Sequence, residues 1–282
     1  MTRLRHSRFA AVAVVLAALL VGCSLVGIAY NSADRWLLHQ ADSYLELRDG
    51  QREPLRLALR QRLAEHRGRE LADFVDFLDR VQRAAADGLD AGEVESLAAR
   101  LEALVRTTVT GTLPPIAAVL ATLEPGQIDH LQAKLEAGDR DFLEDYVQVS
   151  APRRDAKRLK RIVRSLEHWT GDLTAAQRGT VAALLGTWPD LARDWHAYRA
   201  ARTAGLIALL RGRPDAAAVE RYLAGRWVAQ EGRDPPLQAA TTLWRRAILD
   251  LILAVDASLT PQQRAAFVAR VRAYRDDLAA VL

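Results

Sequence analysis

Cysteine is nearly absent: Cys23 is the one thiol in 282 residues, so no disulfide can form within the chain and stability has to come from packing. Runs of β-branched residues are scarce too, and no convincing strand can be drawn. A Gly-x-Ser-x-Gly elbow, a His-Glu-x-x-His pair and a Gly-rich phosphate loop are all missing, which takes away the usual sequence marks of nucleophilic, zinc-dependent and nucleotide chemistry. No flexible low-complexity linker divides the chain.

Long hydrophobic runs are limited to the amino terminus. Arg3, Arg5 and Arg8 stand there without an acid, and an apolar run from Phe9 to Leu20 leads into Leu20-Val21-Gly22-Cys23. That is the layout of a signal peptide, and the run is well short of the ~20 residues a membrane-spanning helix needs. Leu-Val-Gly-Cys resembles the lipobox of bacterial lipoproteins, and the resemblance implies that the thiol of Cys23 carries diacylglycerol and its amino group a further acyl chain. Two or more chains anchor a protein stably, so Cys23 alone would hold the chain to a membrane. Ser24, by resemblance to Gram-negative sorting signals, directs it to the outer membrane facing the periplasm. Cleavage removes three arginines and no acid, so Lys+Arg falls from 39 to 36 against 35 acids. The basic isoelectric point near 9.5 is thus largely a property of the discarded segment, and nucleic-acid binding loses its support.

Abundant Leu and Ala and apolar spacings of three and four predict helix almost throughout, as in Leu55, Leu59, Leu63, Leu71, Phe74, Val75 and Leu78. A Leu-x-x-x-Gln/Glu segment recurs at 47–51, 89–93, 123–127, 173–177 and 259–263. Its spacing is that of a helix start, in which the residue after Leu caps the first N–H groups and the Gln or Glu reaches back to the cap. Asp90 with Glu93, Thr174 with Gln177 and Thr260 with Gln263 fit best, whereas Arg48 is a poor cap. Pro125 and Pro261 suit the first helical position. Breakers predict helices over 28–46, 51–86, 91–110, 114–137, 139–169, 174–211, 215–230, 235–257 and 261–281.

Leu-Thr-x-x-Gln resembles the motif of the LTxxQ group of periplasmic helical stress chaperones, in which it begins helices of a cradle-like dimer. A broader resemblance rests on Ala29-Tyr30-Asn31, Tyr44 to Leu47 leading to Gln51, His66-Arg67 with Glu70-Leu71, Trp169 to Gln177, and Trp195 to Arg199. These segments look like an uncharacterised family of proteobacterial lipoproteins, with no activity to carry over.

Three other groupings have two readings each. Arg153, Arg154, Lys157, Arg158, Lys160, Arg161 and Arg164 form two neighbouring stripes of one helix, either an anion-binding face or a solvated surface paired with Asp139, Asp141, Glu144 and Asp145. Trp188 and Trp195 stand seven apart on one helix face near Tyr198 and Arg199, as core or as a grip for a client. His39, His66, His130, His168 and His196 are scattered; His66 and Glu70 share a helix face, where Arg67 and Arg69 favour a solvated capping or ion-pair role over a metal.

The sequence therefore predicts an all-α, antiparallel multi-helix bundle, with curvature allowed. Residues 1–22 are the signal peptide, 23–50 the anchor and juxtamembrane helix, and 51–282 the bundle, with a break near 171 offering halves 51–170 and 171–282. The expected function is non-enzymatic: a lipid-anchored periplasmic protein with no cofactor, binding clients in a chaperone-like way or an envelope partner. A structural adaptor is the alternative, and a hydrolase with dispersed residues the third reading. The sequence leaves oligomeric state open.

Overall fold

In the computed structural model, Tyr30 and residues 32–282 are described; the expected signal peptide, Cys23 and Ser24 lie outside the described residues. The fold is all-α, with no strand among the described residues. In chain order the helices are α1 (Ala33–Leu45), α2 (Asp49–Glu65), α3 (Leu71–Asp87), α4 (Ala91–Leu120), α5 (Pro125–Phe142), α6 (Ala151–Thr170), α7 (Ala175–Gly186), α8 (Ala192–Arg211), α9 (Ala216–Leu223), α10 (Pro235–Ser258) and α11 (Pro261–Ala279). Single π turns at His66–Glu70 (π1), Leu143–Val147 (π2) and Ala224–Val228 (π3) follow α2, α5 and α9. π1 carries α2 straight into α3 without a loop.

Apolar side chains gather in three clusters. The largest joins α1, α2, the end of α4, α5, α8 and α9 through Leu45, Leu55, Leu59, Leu113, Leu120, Leu131, Leu206 and Val219. The second joins α3, α4 and α11 through Phe77, Leu78, Leu104 and Val271, with Trp169 at its edge. The third joins α6, α7 and α10 through Val181, Leu185, Leu251 and Val255. Leu104 and Leu113 make α4 the shared wall of the first two clusters.

The recurring helix starts come together in pairs, over sequence distances that no local signal encodes. Gln51 and Gln127 exchange side-chain amide bonds of 2.8 and 3.2 Å. Gln177 and Gln263 do the same at 2.8 and 3.0 Å. Each Oε1 also accepts the N–H of its own cap residue, Arg48, Glu124, Thr174 or Thr260. Each Nε2 also reaches a backbone carbonyl of the partner segment: Thr122, Leu45, Ser258 and Asp172 respectively. Both amides of a pair are thereby saturated, the condition for burying them. Leu47, Leu123 and Leu173, which precede the caps, are buried beneath them. The copy at 89–93 has a capping box, with Glu93 N–H donating to Asp90 Oδ1 at 2.8 Å, and it docks through Leu89 N–H to Asp256 Oδ2.

Three predicted boundaries are corrected. α4 runs through Pro114 and Pro115, where a break was expected. Two prolines cost two intrahelical bonds, and burial of Leu113, Ala117 and Leu120 on both sides of them offsets that loss. The joint expected at 137–139 is absent; α5 and π2 continue to Val147, and α6 begins at Ala151. The helix expected over 174–211 is two, α7 and α8, because Pro189 follows Trp188 and stops the chain from propagating as helix.

Candidate binding surface and cleft

The basic helix starts without a side-chain cap, and its charges divide into paired and unpaired ones. α6 has Pro152 in its first turn and packs Leu159, Ile162, Val163 and Leu166 inward, so its cations are turned outward except Arg154, whose side chain is mostly buried. Three are tied down: Arg154 to Asp190 (2.9 Å), Lys157 to Asp145 (3.3 Å) and Arg161 to the Tyr146 hydroxyl (3.0 Å). Arg153, Arg158, Lys160 and Arg164 have no acidic partner among the described residues. The expected pairing with the whole acidic run 139–145 is therefore corrected. Asp145 alone of that run meets the basic helix, while Asp139 belongs to Arg199 at 2.8 Å in a pair that is nearly closed off from solvent.

The Arg154–Asp190 bond sets the start of α6 beside the connection from α7 to α8, which carries Trp188. Trp188 and Trp195 do not share a helix face, since Trp188 lies beyond the end of α7 and Trp195 within α8. Trp188 instead meets Trp244 of α10 edge to face at 5.8 Å, and Trp195 lies against Tyr198 at 5.6 Å. Trp244 stands on the inner stripe of α10, which is 1 % exposed at Leu237 and 5 % at Leu251 but opens to 38 % at Trp244. An aromatic gap thus sits midway along a helix that is sealed at either end.

Between α8, π3 and the first turn of α10 is a cavity of about 240 Å³. Its polar lining is Asp194, Tyr198, Arg202, Arg226 and Asp234, and its apolar walls are Ala197, Ala201 and Leu237. Arg202 lies over the rings of Trp227 (4.7 Å) and Tyr198 (5.6 Å). Burial pushes the Arg202 guanidinium below and the Tyr198 phenol above their ordinary pKa values. The single Tyr198 hydroxyl hydrogen is shared between the carbonyls of Arg226 (2.8 Å) and Glu231 (3.2 Å), which fixes the loop after π3 against α8. Gly232, at φ +76°, completes that loop; a Cβ there would collide with the Arg226 guanidinium.

A separate polar cluster lies at π1. Arg62, buried, pairs with Glu70 at 2.6 Å and donates to the Thr108 carbonyl, while the Thr108 hydroxyl donates to Glu70. Gly111 leaves the space that the Arg62 side chain fills. His66 Nδ1 meets the Tyr30 hydroxyl at 2.9 Å, and burial holds its pKa below the ordinary value. The solvated role expected for His66 and Glu70 is corrected: Glu70 serves a buried arginine eight residues back, and Arg67 lies over the Tyr30 ring. Of the other described histidines, His130 meets Glu46, His168 meets Tyr274 and His196 stacks on Phe142, while His39 is exposed on α1.

Arg62, Arg202 and Arg226 were not singled out by the sequence. Arginine is common in this chain and nothing in local spacing marks a buried one. A weak signal was available in Gly111 and Gly232, which only pay their entropic cost where a backbone needs clearance.

Compared with known proteins, residues 43–232 match the model of DUF6279, a family of unknown function. The matched span contains the Tyr44, His66, Trp169 and Trp195 segments, and leaves out Ala29-Tyr30-Asn31. No curated protein and no solved structure matches the chain.

Proposed function

Since the chain belongs to the DUF6279 family, which has no assigned activity, we propose its function from its own surfaces: a lipid-anchored, non-enzymatic binding protein of the cell envelope, acting on client proteins in a chaperone-like way. The anchor would be Cys23, cleaved and acylated, with the body at the periplasmic face of the outer membrane. The observation that carries the binding reading is α6, on which four cations have no acidic partner among the described residues and whose start is tied by Arg154–Asp190 to the connection carrying Trp188, the edge-to-face neighbour of Trp244. Such a surface suits acidic segments that also expose apolar side chains, because charge speeds the encounter and aromatic area holds the complex. The Leu-Thr-x-x-Gln helix starts, with their resemblance to periplasmic stress chaperones, support the same reading.

Exposed Leu243, Trp244 and Ile252, all on α10, favour one rival, a structural adaptor docked on a single partner. Crosslinking pull-down of the acylated protein from intact envelopes separates the two. Many substoichiometric clients are expected; one stoichiometric partner would replace the chaperone reading with the adaptor.

A further inference from the structure

The cavity beside α8 contains charges of both signs that do not meet. Arg202 and Arg226 have no carboxylate within ion-pair distance among the described residues, although Asp194 and Asp234 line the same space. Asp234 is occupied as the cap of α10, accepting the Leu237 N–H at 2.8 Å. Asp194 has no cationic partner among the described residues. Arg226 gives one N–H to the Glu231 carbonyl at 2.7 Å, and its other donors have no protein acceptor among the described residues. Arg202 is the more telling of the two. A partly desolvated guanidinium is costly without a counter-anion in contact; Asp139 favours the charged Arg202 from a distance, but its ion pair is with the neighbouring Arg199 on the same helix.

We propose that this cleft binds a small zwitterion, an α-amino acid, with its carboxylate on Arg202 and Arg226 and its ammonium on Asp194. Guanidinium groups offer forked donors matched to a carboxylate. A dianion such as phosphate suits the site less, since Asp194 and Asp234 would repel it. The volume of about 240 Å³ lies below the range of roughly 300–1,000 Å³ typical of drug-sized ligands, which sets the ligand at a few heavy atoms beyond its charged groups. Ala197, Ala201 and Leu237 provide an apolar wall, so the side chain accepted is a short aliphatic one. Gly232 keeps the Arg226 guanidinium in place over the loop, and Tyr198 holds that loop to α8.

The test is calorimetric titration of the full-length protein in detergent with L-alanine and L-valine, alongside acetate and ethylamine as the two halves of the ligand. Saturable binding of an amino acid is expected, with each half at least tenfold weaker. Arg202→Met, Arg226→Met and Asp194→Asn should each weaken it at least tenfold. Asp194 is exposed, so Asp194→Asn decides the matter even where loss of the half-buried Arg202 prevents folding. The proposal is overturned if neither amino acid binds, if acetate binds as tightly as alanine, or if Asp194→Asn binds like the unaltered protein.

Discussion

Gln177 and Gln263, 86 residues apart, donate to each other's side-chain carbonyl at 2.8 and 3.0 Å while each also caps its own helix start. Removing one amide leaves the other buried with one N–H and one carbonyl lone pair unmet, and orphans the removed residue's cap N–H and backbone carbonyl, a loss of about 1–3 kcal/mol. Gln177→Leu and Gln263→Leu should each destabilise by that amount. The double variant should cost clearly less than the two together, because no side-chain amide is then left half-met, while the Thr174 and Thr260 N–H groups and the Ser258 and Asp172 carbonyls lose their partners just as in the single variants. Urea unfolding of the three variants measures the coupling; simple additivity would mean that the two glutamines act separately.

Acid should weaken the π1 cluster. His66 is packed against Tyr30 and Phe74, with Arg62 opposing its protonation and Glu70 favouring it, and burial is the dominant influence. The folded state thus binds its proton later than the unfolded chain does. Stability attributable to His66 is full above the ordinary histidine pKa near 6.5 and falls as pH drops through that value towards the lower folded one. Unfolding midpoints followed across this window should show the decline, and His66→Gln should flatten it. An unchanged slope in His66→Gln would assign the acid sensitivity elsewhere.

Neutralising Arg153, Lys160 and Arg164 together to Gln should leave stability within about 0.5 kcal/mol, as for surface positions without partners. In an aggregation assay with an acidic client, the same variant should protect less, and the salt dependence of protection should flatten. Equal protection by both proteins would remove the basic face from the binding surface.

Cys23→Ala should accumulate as unprocessed precursor and take up no radioactive palmitate. Labelling at the level of the unaltered chain would refute the lipid anchor.

Local chemistry was legible in the sequence and distant partnership was not. The caps at Asp90, Thr174 and Thr260 are set within four residues, so their spacing announced them. What Gln51 and Gln127 do for one another depends on how α1, α2 and α5 return through space, and capping chemistry is the same whether or not a second copy stands opposite. Pro114 and Pro115 misled because propensity prices a proline in isolation, whereas here buried neighbours on both sides keep α4 whole. Pro189 was passed over for the opposite reason: the apolar pattern of 174–211 continues across it while the backbone does not. The π turns add one residue to a helix without a composition of their own, so nothing marked His66, Tyr146 or Trp227 as lying in them. The cleft fell outside sequence reach because its walls come from α8, π3 and α10 together.

The glutamine clasps have one more property. An amide neither gains nor loses a proton in water near neutrality, and two amides joined carry no net charge for salt to screen. The ion pairs that decorate this protein would loosen as acidity or ionic strength changes, yet the two joints closed by glutamine pairs would not. In the envelope compartment proposed for the chain, whose small-ion content follows the outside medium, the frame would keep its shape while its charged faces respond.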